Sequence, residues 1–183
     1  MLYNFKPWKT IDLHSAGGDV FEFVDIDGDG NNEIITRQSG GMFDAYRYEG
    51  KLGEGIVGDD NWSLNCTTCL DFDGNIRWQN GSPWQHAEGY RSHSSANTIK
   101  VRDIDGDGKP EYLFLFRETL SIGDATTGEI RNSVTVEQDS LNMIFFQELK
   151  GGVFNIILKC DGQSPYGYCR PFICYDQDLK IKW

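Results

Sequence analysis

Along most of this chain, apolar side chains come in runs of four to six residues bounded by glycine, aspartate or asparagine. No window of a dozen residues keeps a helical period. The runs at 20–24, 33–36, 98–102, 111–116, 141–146 and 153–158 are β-branched or aromatic, which suits a pleated, half-buried surface. They predict an all-β chain.

The order of these strands carries more information than their number. A unit recurs: a strand, a polar loop, a second strand, and later an Asp-bearing turn leading to a strand with an aromatic near its end. The first copy reads VFEFVDIDGDGNNEIIT and then LDFDGNIRW, and the second TIKVRDIDGDGKPEYLFLF and then GDATTGEIRN. A third, degenerate copy reads MIFFQELKGGVFNIIL and closes with CYDQDLKIKW. The closing turns begin at Asp71, Asp124 and Asp176, 53 and 52 residues apart. A period of about 50 residues with about four strands is the size of a β-propeller blade. The spacing predicts one repeat domain over 1–183 with units near 18–80, 95–136 and 140–183, and a Gly- and Asp-rich insertion at 49–65. Three units fall short of the roughly four to eight blades of a closed ring. The expectation is an incomplete ring, a fragment of a longer propeller, or an open stack whose edges are covered by other copies.

Both intact units place the same acids at the same loop positions. Asp25, Asp27, Asp29 and Glu33 stand at positions 1, 3, 5 and 9 of the first loop, and Asp103, Asp105, Asp107 and Glu111 repeat them in the second. Alternate carboxylates on a curling backbone turn inward on one ion, and Gly28, Gly30, Gly106 and Gly108 permit the curl. Position 7, Asn31 or Lys109, offers only its backbone carbonyl, which is why its side chain is free to differ. Like charges about 4 Å apart repel by roughly 4 kcal/mol at an effective dielectric of about 20, so clustered carboxylates call for a cation. Hard oxygen donors in a flexible loop favour Ca²⁺ over Mg²⁺. An EF-hand shares the first six positions but needs a bidentate Glu at position 12, where this chain has Thr36 and Phe114. The alternative without an ion is a pair of solvated acidic turns. In the third unit, Lys150 and the missing Asp residues at 147–151 argue against a site.

Charge follows from these loops. The 28 acidic and 17 basic residues leave a net charge of −11, which opposes binding to nucleic acid or to an anionic membrane surface. No apolar run reaches the roughly 20 residues of a membrane helix, and no signal-peptide stretch opens this chain. Five cysteines beside calcium-type loops suggest an oxidising, extracellular setting, with at least one thiol left over. Cys66 and Cys69 form a CxxC without a second pair at zinc spacing; they sit on a strand, buried or separately bridged. A local bridge from Cys160 to Cys169 or Cys174 is a further option.

At its two loops the sequence resembles the FG-GAP or VCBS repeat proteins, which include integrin α-chain propellers and the propellers of rhamnogalacturonan lyase-type enzymes. The phrases DIDGDGNNEIIT and DIDGDGKPEYLFL carry the resemblance. It implies propeller blades with a structural calcium between adjacent strands, held by Asp25, Asp27, Asp29 and Glu33, and by Asp103, Asp105, Asp107 and Glu111. It also implies, as one option, part of a polysaccharide lyase. The stretch 84–93 combines Trp84, His86, Tyr90, Arg91 and His93 between units. His86 or His93 as base, with Arg91 neutralising a sugar carboxylate, are the candidate catalytic residues. The competing view has Trp84 and Tyr90 packing between blades. The sequence thus ranks three functions: first a non-catalytic extracellular calcium-binding module for adhesion to protein or carbohydrate, then a piece of a lyase, then a structural subunit assembling with its own copies.

Overall fold

The structure, a computed structural model, describes residues 9–18, 20–39, 64–83, 99–116, 118–136, 143–159 and 172–183. Within them, three antiparallel up-and-down sheets follow one another along the chain, and none closes into a barrel. Sheet one holds β1 (Val20–Val24), β2 (Glu33–Ser39), β3 (Asn65–Leu70) and β4 (Ile76–Asn80) in that order. Sheet two holds β5 (Ile99–Arg102), β6 (Glu111–Phe116), β7 (Thr119–Asp124) and β8 (Ile130–Thr135). Sheet three holds β9 (Met143–Glu148), β10 (Phe154–Lys159) and β11 (Ile173–Tyr175), and a single bridge from Tyr175 to Ile181 marks the place of a fourth strand. These are propeller-like blades of all-β architecture.

Because side chains alternate across a strand, each blade packs on its neighbours by opposite faces. The middle blade shows this most clearly, since β6 is buried along nearly its whole length. Tyr112 and Phe114 point toward sheet one and join Ile26, Ile35, Cys69, Trp78, Ile99 and Ala125 in one core. Leu113 and Leu115 point the other way and join Leu120, Ile122, Ile144, Ile156, Leu158 and Tyr175 in a second. A strand covered on both faces reads as a continuous apolar run, EYLFLF, rather than an alternating one.

The joint between sheets one and two is anchored by Trp78. Its ring lies 5.1 Å from that of Tyr112, and its Nε1 donates to the Ala125 carbonyl at 2.8 Å. Tyr112 in turn donates from its hydroxyl to the carbonyl of Gly128, which also receives Asn80 Nδ2. Gly128 has φ +77°, and a Cβ there would lie 2.6 Å from the Trp78 ring. Gly128→Ala therefore meets backbone strain and overpacking together. We expect a loss of about 2–4 kcal/mol, read as a lower urea midpoint at unchanged slope.

The closing turns of the three sheets are built alike. Asp71 Oδ1 accepts the N–H groups of Asp73 and Asn75, Asp124 Oδ1 those of Thr126 and Thr127, and Asp176 Oδ1 those of Asp178 and Lys180. Where sheets one and two use Gly74 and Gly128 at positive φ, sheet three uses Leu179 at φ +62°, held by burial of its side chain in the second core.

Three sequence readings shift. The first concerns β2, which runs on to Ser39 instead of stopping at Thr36. Arg37 is buried there, its guanidinium 4.2 Å from the Phe114 ring centroid and donating to Thr67 and Asn65. Second, β9 and β10 begin later than their apolar runs, so Gln147 and Glu148 are strand residues and the hairpin loop is Leu149 to Val153. The third is the insertion at 49–65, whose last residue, Asn65, opens β3; residues 49–63 lie outside the described residues. Cys66, Cys69 and Cys174 are buried free thiols, so no bridge reaches Cys174; Cys160 and Cys169 lie outside the described residues. Burial pushes the Cys69 thiol up to about 12, with the Glu33 carboxylate next in effect. It is therefore not a reactive thiolate. Among the described residues no helix is long and apolar enough to cross a membrane.

Candidate metal centres

Each acidic loop joins the first two strands of its blade: residues 25–32 link β1 to β2, and 103–110 link β5 to β6. The first aspartate organises the loop. Asp25 accepts the N–H groups of Gly28 and Gly30 on its two oxygens, at 2.7 and 2.9 Å, and Asp103 does the same with Gly106 and Gly108 at 2.8 and 2.9 Å. Both glycines of each loop have φ between +78° and +87°, the left-handed region that lets N–H groups turn onto one carboxylate. Asp27 and Asp105 accept from the residue two ahead, as do Asp29 and Asp107. The N–H of Asn31, then its side chain, hold the Asp29 carboxyl below its ordinary value.

The two loops bring together overlapping but different donor sets. Oxygens of Asp25, Asp27 and Asp29 lie within 4.8 Å of one another in the first, and those of Asp103, Asp105 and Glu111 in the second. A separation up to 4.8 Å is what donors on opposite sides of an ion at about 2.4 Å show. Charge, hardness and spacing of these oxygens fit Ca²⁺. Glu33 and Asp107 stand outside these converging sets, and the backbone carbonyls of Asn31 and Lys109 belong to no side-chain set.

Position 9 turns out to have a structural occupation of its own. Glu33 and Glu111 are buried, at 2% and 1% exposure. One oxygen of each accepts the N–H of the loop's second residue, Ile26 at 3.1 Å or Ile104 at 2.9 Å. The other accepts an arginine from the fourth strand of the same blade, Arg77 at 2.9 Å or Arg131 at 2.7 Å. Burial, opposed by the Ile104 N–H, raises the Glu111 carboxyl to about 6, and Asp105 adds to the rise.

Position 2 is the feature that sequence reading missed. Ile26 and Ile104 are buried, each in the core between its own sheet and the next. Their carbonyls are also taken from across the joint, Ile26 by Thr126 Oγ1 at 2.9 Å and Ile104 by the Phe154 N–H at 2.9 Å. The acidic loop is thus wedged into the neighbouring blade. An isoleucine flanked by aspartates in both copies was the available signal.

Sheet three has no comparable loop. Counting from the closing turns, Tyr175 pairs with Ile156 as Gly123 pairs with Tyr112, so Asn155 stands where Glu111 does. It bonds Gln147, a neutral pair in place of an acid. The candidates His86, Arg91 and His93 lie outside the described residues. No family model matches the chain, and no curated protein matches it.

Proposed function

We propose that the chain is a calcium-binding β-propeller-type repeat module of the FG-GAP or VCBS kind, working outside the cell as a non-catalytic unit for adhesion or for binding protein or carbohydrate. One observation carries the reading: two consecutive blades repeat the same carboxylate loop between their first and second strands, with three acids converging in each. In this reading the ion is structural. It neutralises the acids and fixes the loop whose isoleucine is wedged into the next blade, so calcium stiffens the joints that hold the blades in register.

The test is stoichiometry by loop. Asp27→Ala and Asp105→Ala should each remove about one of two bound calcium ions, and the double variant both. Retention of both ions by both single variants sinks the assignment.

A second reading, a structural subunit assembling with its own copies, is favoured by the outer faces of the stack. Phe21 and Phe23 are exposed on sheet one, and Phe145, Phe172 and Trp183 on sheet three. A single monomeric species in sedimentation at high concentration would count against it.

A further inference from the structure

The two loops differ in one contact, and its cause is visible. Arg77 and Arg131 occupy the same place in their blades, and both give Nη1 to the position-9 glutamate. Their second nitrogens diverge. Arg131 Nη2 donates to Asp124 Oδ2, in the closing turn, at 2.8 Å, so that Arg131 meets the loop-two donors through Glu111 and not through an aspartate of the loop. Arg77 Nη2 donates instead to Asp27 Oδ2, inside the first loop, at 2.7 Å.

The closing turns explain the divergence. In sheet one the acceptor equivalent to Asp124 Oδ2 is Asp71 Oδ2, and it is already taken by Asn75 Nδ2 at 2.9 Å. That bond, from the Asn75 side chain first, helps hold the Asp71 carboxyl below its ordinary value. In sheet two the residue at that place is Glu129, which has no side-chain donor and whose N–H goes to Thr127 Oγ1. Asp124 Oδ2 therefore stays open for arginine. Burial pushes the Asp124 carboxyl up, but Arg131 and the N–H groups of Thr126 and Thr127 outweigh it and hold it low.

We propose that Asn75, by filling Asp71, turns Arg77 onto Asp27 and makes the first loop the weaker of two unequal calcium sites. The inference rests on the calcium reading above. To take Asp27 Oδ2 at loop one a cation must displace Arg77 Nη2 from a charge-assisted contact, while Nη1 of the same guanidinium holds Glu33. Loop two shares the contact of arginine with its position-9 glutamate, Arg131 on Glu111, but among the described residues no arginine reaches Asp105 Oδ2. Asn75 is thus a positioning residue, and Arg77 a built-in competitor for the ion.

Calcium titration calorimetry on single-loop proteins tests this, with Asp105→Ala leaving only loop one and Asp27→Ala leaving only loop two. We expect loop two to bind about tenfold tighter, the scale of one charge-assisted hydrogen bond that need not be broken. Adding Asn75→Ala to the Asp105→Ala protein frees Asp71 for Arg77 and should tighten loop one by a similar factor. Arg77→Gln in that protein should tighten it as well. Equal affinities, or a loop one indifferent to Asn75→Ala and to Arg77→Gln, would overturn this inference and leave the calcium reading standing. Absence of calcium binding by either loop of the unmutated protein would overturn both.

Discussion

Trp78→Ala should cost the fold about 3–5 kcal/mol, the range for emptying a buried aromatic site. The ring packs on Tyr112 in the core between sheets one and two, and its loss also strips the Ala125 carbonyl of its donor. Trp78→Phe keeps most of the ring and loses the hydrogen bond, so it should cost about 1 kcal/mol from that bond plus a small packing defect. Trp183 provides the internal control. It holds the same place in sheet three, yet it is 60% exposed. Trp183→Ala should stay within about 0.5 kcal/mol of the parent in urea unfolding. A cost at Trp183 equal to that at Trp78 would mean that the outer face of sheet three is covered in solution.

Calcium removal should have the largest effect of all. A ligand at 100 times its dissociation constant stabilises the native state by about 2.7 kcal/mol per site, so two sites give roughly 5 kcal/mol. For a chain of this size that corresponds to a fall of about 10–20 °C in Tm on adding EDTA, restored by excess Ca²⁺. The coupling to the fold runs through Ile26 and Ile104. A loop relaxed by carboxylate repulsion no longer holds its isoleucine in the core between sheets, so the joints should loosen before the sheets themselves melt. Hydrogen exchange read at Phe154, whose N–H bonds the Ile104 carbonyl, should quicken without the ion. A Tm unmoved by EDTA would contradict the coupling.

What the sequence disclosed was local. Runs such as 111–116 and the spacing of Asp71, Asp124 and Asp176 report interactions within a few residues, and β6 and the three closing turns stand where that pattern put them. The acid pattern was legible for the same reason, because an Asp-x-Asp-Gly-Asp-Gly curl is closed by its own backbone N–H groups. The rest depended on residues far apart in the chain. Arg77 lies 44 residues from Glu33 and 50 from Asp27, and nothing in the loop announces it. The charge of Arg37 ends the apolar run at Thr36, and its burial is made tolerable by its bonds to Thr67 and Asn65 together with the packing of Phe114 over its guanidinium. In sheet three the strands run later than the apolar runs 141–146 and 153–158, because a short hairpin turning at Gly151 and Gly152, both at positive φ, replaces the longer acidic loop and moves the strand ends.

The most direct test is to count calcium in protein stripped with a chelator and then dialysed against millimolar Ca²⁺. Two ions per chain, falling to one with Asp105→Ala, is the predicted result. Protein that returns from dialysis folded but free of calcium would contradict the account at its root, because the clustered acids would then be held by Arg77, Arg131 and backbone N–H groups alone.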